Sequence, residues 1–365
     1  MNTAANKEKY YGMRVMQVMA GGEHGGAETF FVDLVTALQD RGLDQRAVIR
    51  RNPARSENLR KAGVPLAELR FGGPLDIMTK PAMRREIARF QPDIVQTWMV
   101  RATKACRGGR FIHVGWLGGY YKPPHFRGCD HVVGVTQDIA NHMRAAGWAE
   151  PRSHYLPTFA VHHPAAPLSR VDYDTPDDVP LLLALGRLHV KKAFDILLKA
   201  LVSVPQAWLW IAGEGEVRAN LEQLAADLGV TKRVRFLGWR HDREALLATA
   251  DLCVFPSRYE PFGTVTIEAW ACGTPLVAAA SAGPAAVIRD GEDALLVPVD
   301  DVEALAAAIK RVLEQPALAE NLVAAGLRRY EAEFTEDACV KRYLAFYESL
   351  LDTPSAAAPG HLAAQ

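Results

Sequence analysis

The chain has 365 residues, long enough for two domains, and its 49% hydrophobic and 23% charged residues are those of an ordinary globular protein. Net charge is zero but unevenly spread: residues 1–160 hold 23 Lys and Arg against 14 Asp and Glu, a net of +9, and the remainder carries −9. Five cysteines without CxxC spacing exclude a disulfide frame and a cysteine zinc site, and no apolar run reaches the ~18 residues of a membrane span.

Residues 1–12 are polar, lack the apolar core of a signal peptide, and read as a flexible tail on a cytoplasmic protein. Short apolar runs then alternate with helical patterns. The first half gives MRVMQVMA, QRAVIR, DIVQTW, FIHVGW, HVVGVT and HYLPTF; the second gives PLLLALG, WLWIAG, RVRFLG, LCVFPS, PLVAA and ALLVPV. Several are continuously apolar, as strands buried on both faces are. With helical stretches such as AETFFVDLVTALQDRG and AFDILLKALVSV between them, they predict an α/β protein with parallel sheets. The expected organisation is two Rossmann-like, doubly wound domains facing across a cleft, at 13–160 and 181–334. A Pro- and Asp-rich linker at 161–180 joins them. A helix at 335–352, N-capped by Thr335, follows, and 353–365 is an Ala- and Pro-rich disordered tail.

Three stretches carry candidate chemistry. GGEHGGAE, 21–28, lies between the first strand and a helix, where glycines let the backbone approach an anion at free helical N–H groups; its spacing is not the GxGxxG of a dinucleotide fold. In LGRLHVKKAFDILLKAL, 185–201, Arg187 and Lys192 follow a buried strand and suit a diphosphate, although cations beside a helix are commonly a solvated face. In YEPFGTVTIEAWACGTPLVA, 259–278, Glu260 lies beyond strand LCVFPS, Gly263 and Thr264 open a helix, and Glu268 falls on its second turn. A carboxylate accepts hydrogen bonds from two vicinal hydroxyls, so the pair suits two hydroxyl-bearing rings with an anion between them. The plainer alternative is a helix-dipole Glu and an exposed helical Glu. Asp172 and Asp174 form an Asp-x-Asp pair, and His162 and His163 a doublet, but both sit in the linker without further ligands, so no metal site is expected.

Together these motifs resemble the retaining GT-B glycosyltransferases of family 4. The likeness runs through GGAE at 25–28, GRLHVKKAFDILLKA at 186–200, IAGEGEVRANLE at 211–222, RVRFLG at 233–238, PSRYEPFGTVTIEAWACGTPLVA at 256–278 and SAGPAAVIRDGEDALLVPVDD at 281–301. WLGGYYKPP and CDHVVGVTQDIANHMRAAGW resemble its bacterial cell-envelope branch, whose members build lipopolysaccharide or related polysaccharides.

The resemblance implies a donor site. Glu260 would meet the transferred sugar and Glu268 the ribose of a nucleotide-sugar. Arg187 and Lys192 would hold its diphosphate over the Phe262–Gly263–Thr264 turn, and Gly25 and Gly26 would close from the other domain. Glu260, Arg187 and Lys192 would be the catalytic group. The final helix would cross back onto the first domain. It further implies retaining transfer without metal or other cofactor, a glycan or lipid-linked acceptor, and no nucleic-acid partner. A nucleotide-sugar epimerase and a non-catalytic nucleotide-sugar-binding protein share this architecture. Departures from the family are Ala193, where glycine is common, and Gly-Pro-Ala-Ala at 283–286. The first-domain histidine that touches the donor has no secure counterpart; Trp98, His113 and Trp116 stand near its place.

The basic half adds a last expectation. Lys80, Arg84, Arg85 and Arg89 cluster in KPAMRREIARF. Arg101, Lys104 and Arg107 recur every third residue and suit one helix face. Such a surface is either simply solvated or docks peripherally on anionic lipid or on a phosphorylated lipid-linked acceptor.

Overall fold

The computed structural model describes residues 12–352 except 24, 74, 75 and 107. The tails at 1–11 and 353–365 and the side chain of Arg107 therefore lie outside the described residues.

Thirteen strands form two parallel sheets among the described residues. The first contains β1 (Arg14–Met19), β2 (Asp44–Arg50), β3 (Leu66–Leu69), β4 (Ile94–Trp98), β5 (Ile112–Leu117), β6 (His131–Gly134) and β7 (Ser153–Tyr155). Its order is β3-β2-β1-β4-β5-β6-β7. The second contains β8 (Leu181–Leu185), β9 (Trp208–Ala212), β10 (Val234–Gly238), β11 (Leu252–Phe255), β12 (Leu276–Ala279) and β13 (Leu295–Val297), in the order β10-β9-β8-β11-β12-β13. Both are doubly wound. Each chain path runs outward from its first strand and then returns to that strand's other side, which opens a crevice beyond the carboxyl ends.

The continuous apolar runs are the buried strands: β4, β8, β11 and β12 have no exposed position. The first half holds seven strands rather than six. Leu66–Leu69 is the addition, a short edge strand only half-buried, so it carries neither a continuous nor a clearly alternating pattern. In the basic stretch at 101–110, the helix Met99–Ala105 carries Arg101 and Lys104, and the expectation of a shared face with Arg107 falls on a residue outside the described ones.

The segment between the sheets is packed onto the second one. Arg170 donates to the carbonyls of Val179 and Thr249 and to Asp251, and Trp210 Nε1 donates to Thr175 Oγ1 at 2.9 Å.

The last helix, Glu336–Asp352, lies against the first sheet. Thr335 Oγ1 accepts from the backbone of Ala338 at its start. Trp116 Nε1 on β5 donates to Tyr343 Oη at 3.1 Å. Trp98 Nε1 donates to Gln17 Oε1 at 2.9 Å, Gln17 Nε2 to Tyr347 Oη at 3.1 Å, and Tyr347 Oη to Gln96 Oε1 at 3.0 Å. This buried chain ties the helix to β1 and β4. Each hydroxyl supplies groups that would otherwise be stranded in the core.

Candidate active site

The strand order of the second sheet reverses between β8 and β11, its two central, parallel strands. Arg187 and Lys192 follow β8; Glu260 follows β11. The fold thus brings residues 68 positions apart to the two lips of one crevice. Lys192 Nζ is hydrogen-bonded to Glu260 Oε2, with side chains only 21% and 17% exposed. The ammonium also stands 5.3 Å from the centre of the Phe255 ring.

Arg258 holds this pair in register. Its guanidinium takes both oxygens of Asp195, at 2.8 and 2.7 Å, and the carbonyl of Val190 at 2.7 Å. Its backbone N–H donates to Lys191 O at 2.8 Å. Ala193 adopts φ 53°, the left-handed region, which accounts physically for a glycine being suited to this position.

The turn after Glu260 depends on two glycines. Gly263 has φ 88°, and a Cβ there would stand 2.8 Å from the Phe255 ring. Gly283 donates to Glu260 O at 2.7 Å, and its own Cβ would stand 2.4 Å from Phe262 O. The helix Thr264–Ala271 then starts without a side-chain cap, with Thr266 N–H donating to Gly263 O at 2.9 Å. The Phe262 ring is 6% exposed and packs toward Phe334. It therefore braces the turn from the core.

Glu268 sits on the second turn of that helix with its side chain 13% exposed. Arg243 Nη1, from the helix Arg243–Thr249, donates to its Oε1 at 2.5 Å. Burial pushes the Glu268 carboxyl up from the usual carboxylate range, and Arg243 opposes that shift. Arg187 is the most open of the four residues. Its side chain is 70% exposed and paired with Glu216 at 3.1 Å, so it is free to swing toward an incoming anion.

In the first domain, Gly25 caps the helix Gly26–Asp40. The glycine loop is folded around a carboxylate of its own: Gly22 N donates to Glu28 Oε1 at 2.7 Å. A Cβ at Gly21 or Gly25 would collide with that side chain, whereas Gly26 faces open space. Buried Arg55 donates to Gly22 O at 2.8 Å and anchors the loop from beneath. Trp98 and Trp116 are core residues with ring centroids 4.4 Å apart, and neither is more than 1% exposed. His113 is buried in β5, 2.9 Å from Thr97 Oγ1, and burial lowers its pKa. None of the three reaches the crevice. The segment after β5 does: a Cβ on Gly119 would lie 3.5 Å from Pro261. Tyr121 is pushed up to about 12 by burial, with Glu28 and Tyr259 adding to the shift. The two sheets' carboxyl-end loops therefore meet around Gly119, Tyr121, Tyr259 and Pro261.

Sequence reasoning missed Arg243 and Arg258. Each is a charged residue on a helix or loop, and only the strand order shows which carboxylate or carbonyl it meets. Among the described residues, no three His, Cys, Asp or Glu converge as metal ligands.

Comparison with known proteins follows the same division. Residues 24–160 match Glycosyltransferase Family 4, and residues 167–329 match Glycosyl transferases group 1. The chain belongs to the family 4 glycosyltransferases and is a glycosyltransferase of the GT-B fold. It is 35% identical over 342 residues to the lipopolysaccharide core biosynthesis glycosyltransferase LpsD of Rhizobium meliloti (strain 1021), covering 92% of this chain and 98% of that one. It is 36% identical over 328 residues to LpsE of the same organism, which carries the same description, covering 88% and 96%. Among solved structures, Anabaena HepE in complex with UDP and glucose superposes with a TM-score of 0.78 at 21% identity, over 92% of this chain and 100% of that one.

Proposed function

We propose that this chain transfers a sugar, with retention of anomeric configuration and without a metal, from a nucleoside-diphosphate sugar to a growing glycan of the lipopolysaccharide core. The observation that carries the reading is the Lys192–Glu260 pair at the β8–β11 switch point, set in a chain matched nearly end to end by two lipopolysaccharide core glycosyltransferases. HepE, a structural neighbour, holds UDP and glucose, which supports a nucleotide-sugar as donor.

The chemistry follows from the groups present. Glu260 accepts hydrogen bonds from the sugar's hydroxyls and Glu268 from those of the ribose. Arg187, Lys192 and the amino end of the helix Thr264–Ala271 neutralise the diphosphate as it departs. The bond from the anomeric carbon to the phosphate oxygen breaks while a bond to the acceptor oxygen forms on the same face. The leaving phosphate takes the acceptor's proton, so no side chain is needed as base. Gly25 and Gly26 would close over the diphosphate from the first domain, and the Gly119–Tyr121 segment beside Pro261 would help to exclude water.

The acceptor side carries the excess positive charge. Lys80, Arg84, Arg85 and Arg89 are exposed on the helix Thr79–Phe90, and its one acid, Glu86, is paired with Arg46 at 2.7 Å. Ile77 and Met78, 80% and 54% exposed, stand at the amino end of that helix. This face supports peripheral docking on anionic lipid or on a phosphorylated lipid-linked acceptor at the cytoplasmic surface. No helix among the described residues is long and apolar enough to cross a membrane.

The test is a transfer assay. Purified protein is given a panel of nucleotide-sugars and truncated lipopolysaccharide cores, with and without EDTA, and the product anomer is read by proton NMR. Retention of configuration with undiminished rate in EDTA is expected. Inversion, or abolition by EDTA with restoration by manganese or magnesium, overturns the mechanism.

A further inference from the structure

Arg243 is the cation that holds Glu268 at the donor site. It opens the helix between β10 and β11, and its Nη1 donates to Glu268 Oε1 at 2.5 Å. Oε2 of Glu268 has no such partner among the described residues, so one oxygen is held while the other is left to accept from a ligand. The Arg243 side chain is 51% exposed and that of Glu268 13%.

We propose that Arg243 is a positioning residue that aims Glu268 at the vicinal hydroxyls of a nucleoside diphosphate. The proposal rests on the donor-site reading above and deepens it.

The physical argument starts from the cost of an almost buried carboxylate. Burial raises Glu268's pKa; Arg243 and Lys192 lower it, and Glu244, on the same helix as Arg243, raises it. Cys253 on β11 and Cys272 on Glu268's own helix are its uncharged titratable neighbours, and His162 stands 3.6 Å behind Cys272. Without Arg243 the carboxyl turns toward its protonated form and its rotamer is released. A protonated carboxyl no longer accepts from two hydroxyls at once.

The experiment uses the full chain and calorimetry. UDP, GDP, ADP and CDP are titrated first, and the tightest binder is carried forward with its 2′,3′-dideoxy analogue. Arg243→Met is expected to weaken the parent diphosphate at least tenfold while leaving the dideoxy analogue within about twofold. It should also lose affinity for the parent more steeply than wild type as pH falls, since burial already raises Glu268 and Arg243 opposes that shift. Arg243→Lys should recover part of the loss. Arg243→Gln serves as the second variant where Arg243→Met does not melt like wild type. Equal loss of parent and dideoxy analogue, or no loss, overturns the assignment to Glu268. Failure of wild type to bind any of the four diphosphates overturns the donor-site reading instead.

Discussion

Lys192 and Glu260 form a direct hydrogen-bonded ion pair between the loops that follow β8 and β11. Both side chains are mostly withdrawn from water, so the pair is already assembled before any ligand enters. A diphosphate entering beside it gains a fixed ammonium without ordering a flexible one, which is the sense in which the site is preorganised.

Lys192→Ala is expected to lower kcat/KM at least 100-fold. It removes a cation from the leaving phosphate and strands the Glu260 carboxylate. Two decades of rate correspond to about 2.7 kcal/mol, within the range for loss of one preorganised donor. Arg187→Ala should cost less, about tenfold, because Arg187 is exposed and must first leave Glu216. Steady-state kinetics on the pair decides it; equal effects would mean that Arg187 is as fixed as Lys192.

Tyr347→Phe is expected to destabilise the chain by about 2–4 kcal/mol, since it leaves Gln17 Nε2 and Gln96 Oε1 without their buried partner. Chemical denaturation followed by tryptophan fluorescence measures it. A change below about 0.5 kcal/mol would show that the last helix is held by apolar packing alone.

How much of this was legible follows from which physical signal each residue carries. The twelve strands other than β3 stood out by their apolar runs, most plainly β4, β8, β11 and β12, where burial on both faces demands continuous ones, and Gly263, Thr264 and Glu268 lie on the turn and helix that their spacing predicts. β3 was hidden because an edge strand of four half-buried residues has no such demand placed on it. Arg243 was hidden for another reason. Its partner Glu268 lies 25 residues away, and a cation at the start of a short helix looks the same whether it faces water or a carboxylate. Trp98 and Trp116 attracted attention as possible donor contacts, but hydrogen bonds to Gln17 and to Tyr343, 227 residues beyond Trp116, hold them in the core.

Acid should destabilise the first domain through His131 and His154, whose ring nitrogens are 3.0 Å apart. Burial, then His131 and Arg144, lower His154 from 6.5 to about 4, and burial lowers His131 as well. The unfolded chain takes up protons near the ordinary histidine value, whereas the folded chain resists until about 4. Stability from this site is therefore present above the ordinary value and lost as pH falls through that window. His154→Phe, placed against Phe346, should lose less melting temperature than wild type between about pH 7 and pH 5. An identical acid loss in both would assign the sensitivity elsewhere.

Liposome co-sedimentation tests the basic face. Wild type should bind vesicles containing an anionic phospholipid, release them as salt rises, and ignore neutral vesicles. Arg84→Glu with Arg85→Glu should weaken binding at least tenfold, with each basic residue contributing on the order of 1 kcal/mol near the surface. Equal failure of wild type on both vesicle types would remove the membrane and leave the transfer reaction untouched.

The most direct test of the central claim is the transfer rate of Glu260→Gln against that of Glu320→Gln, an exposed helical glutamate far along the chain. If Glu260 receives the transferred sugar beside Lys192, Glu260→Gln loses at least 100-fold in kcat/KM for the nucleotide-sugar while Glu320→Gln keeps wild-type kinetics. Wild-type kinetics in Glu260→Gln would contradict the assignment of the β8–β11 crevice as the place of sugar transfer.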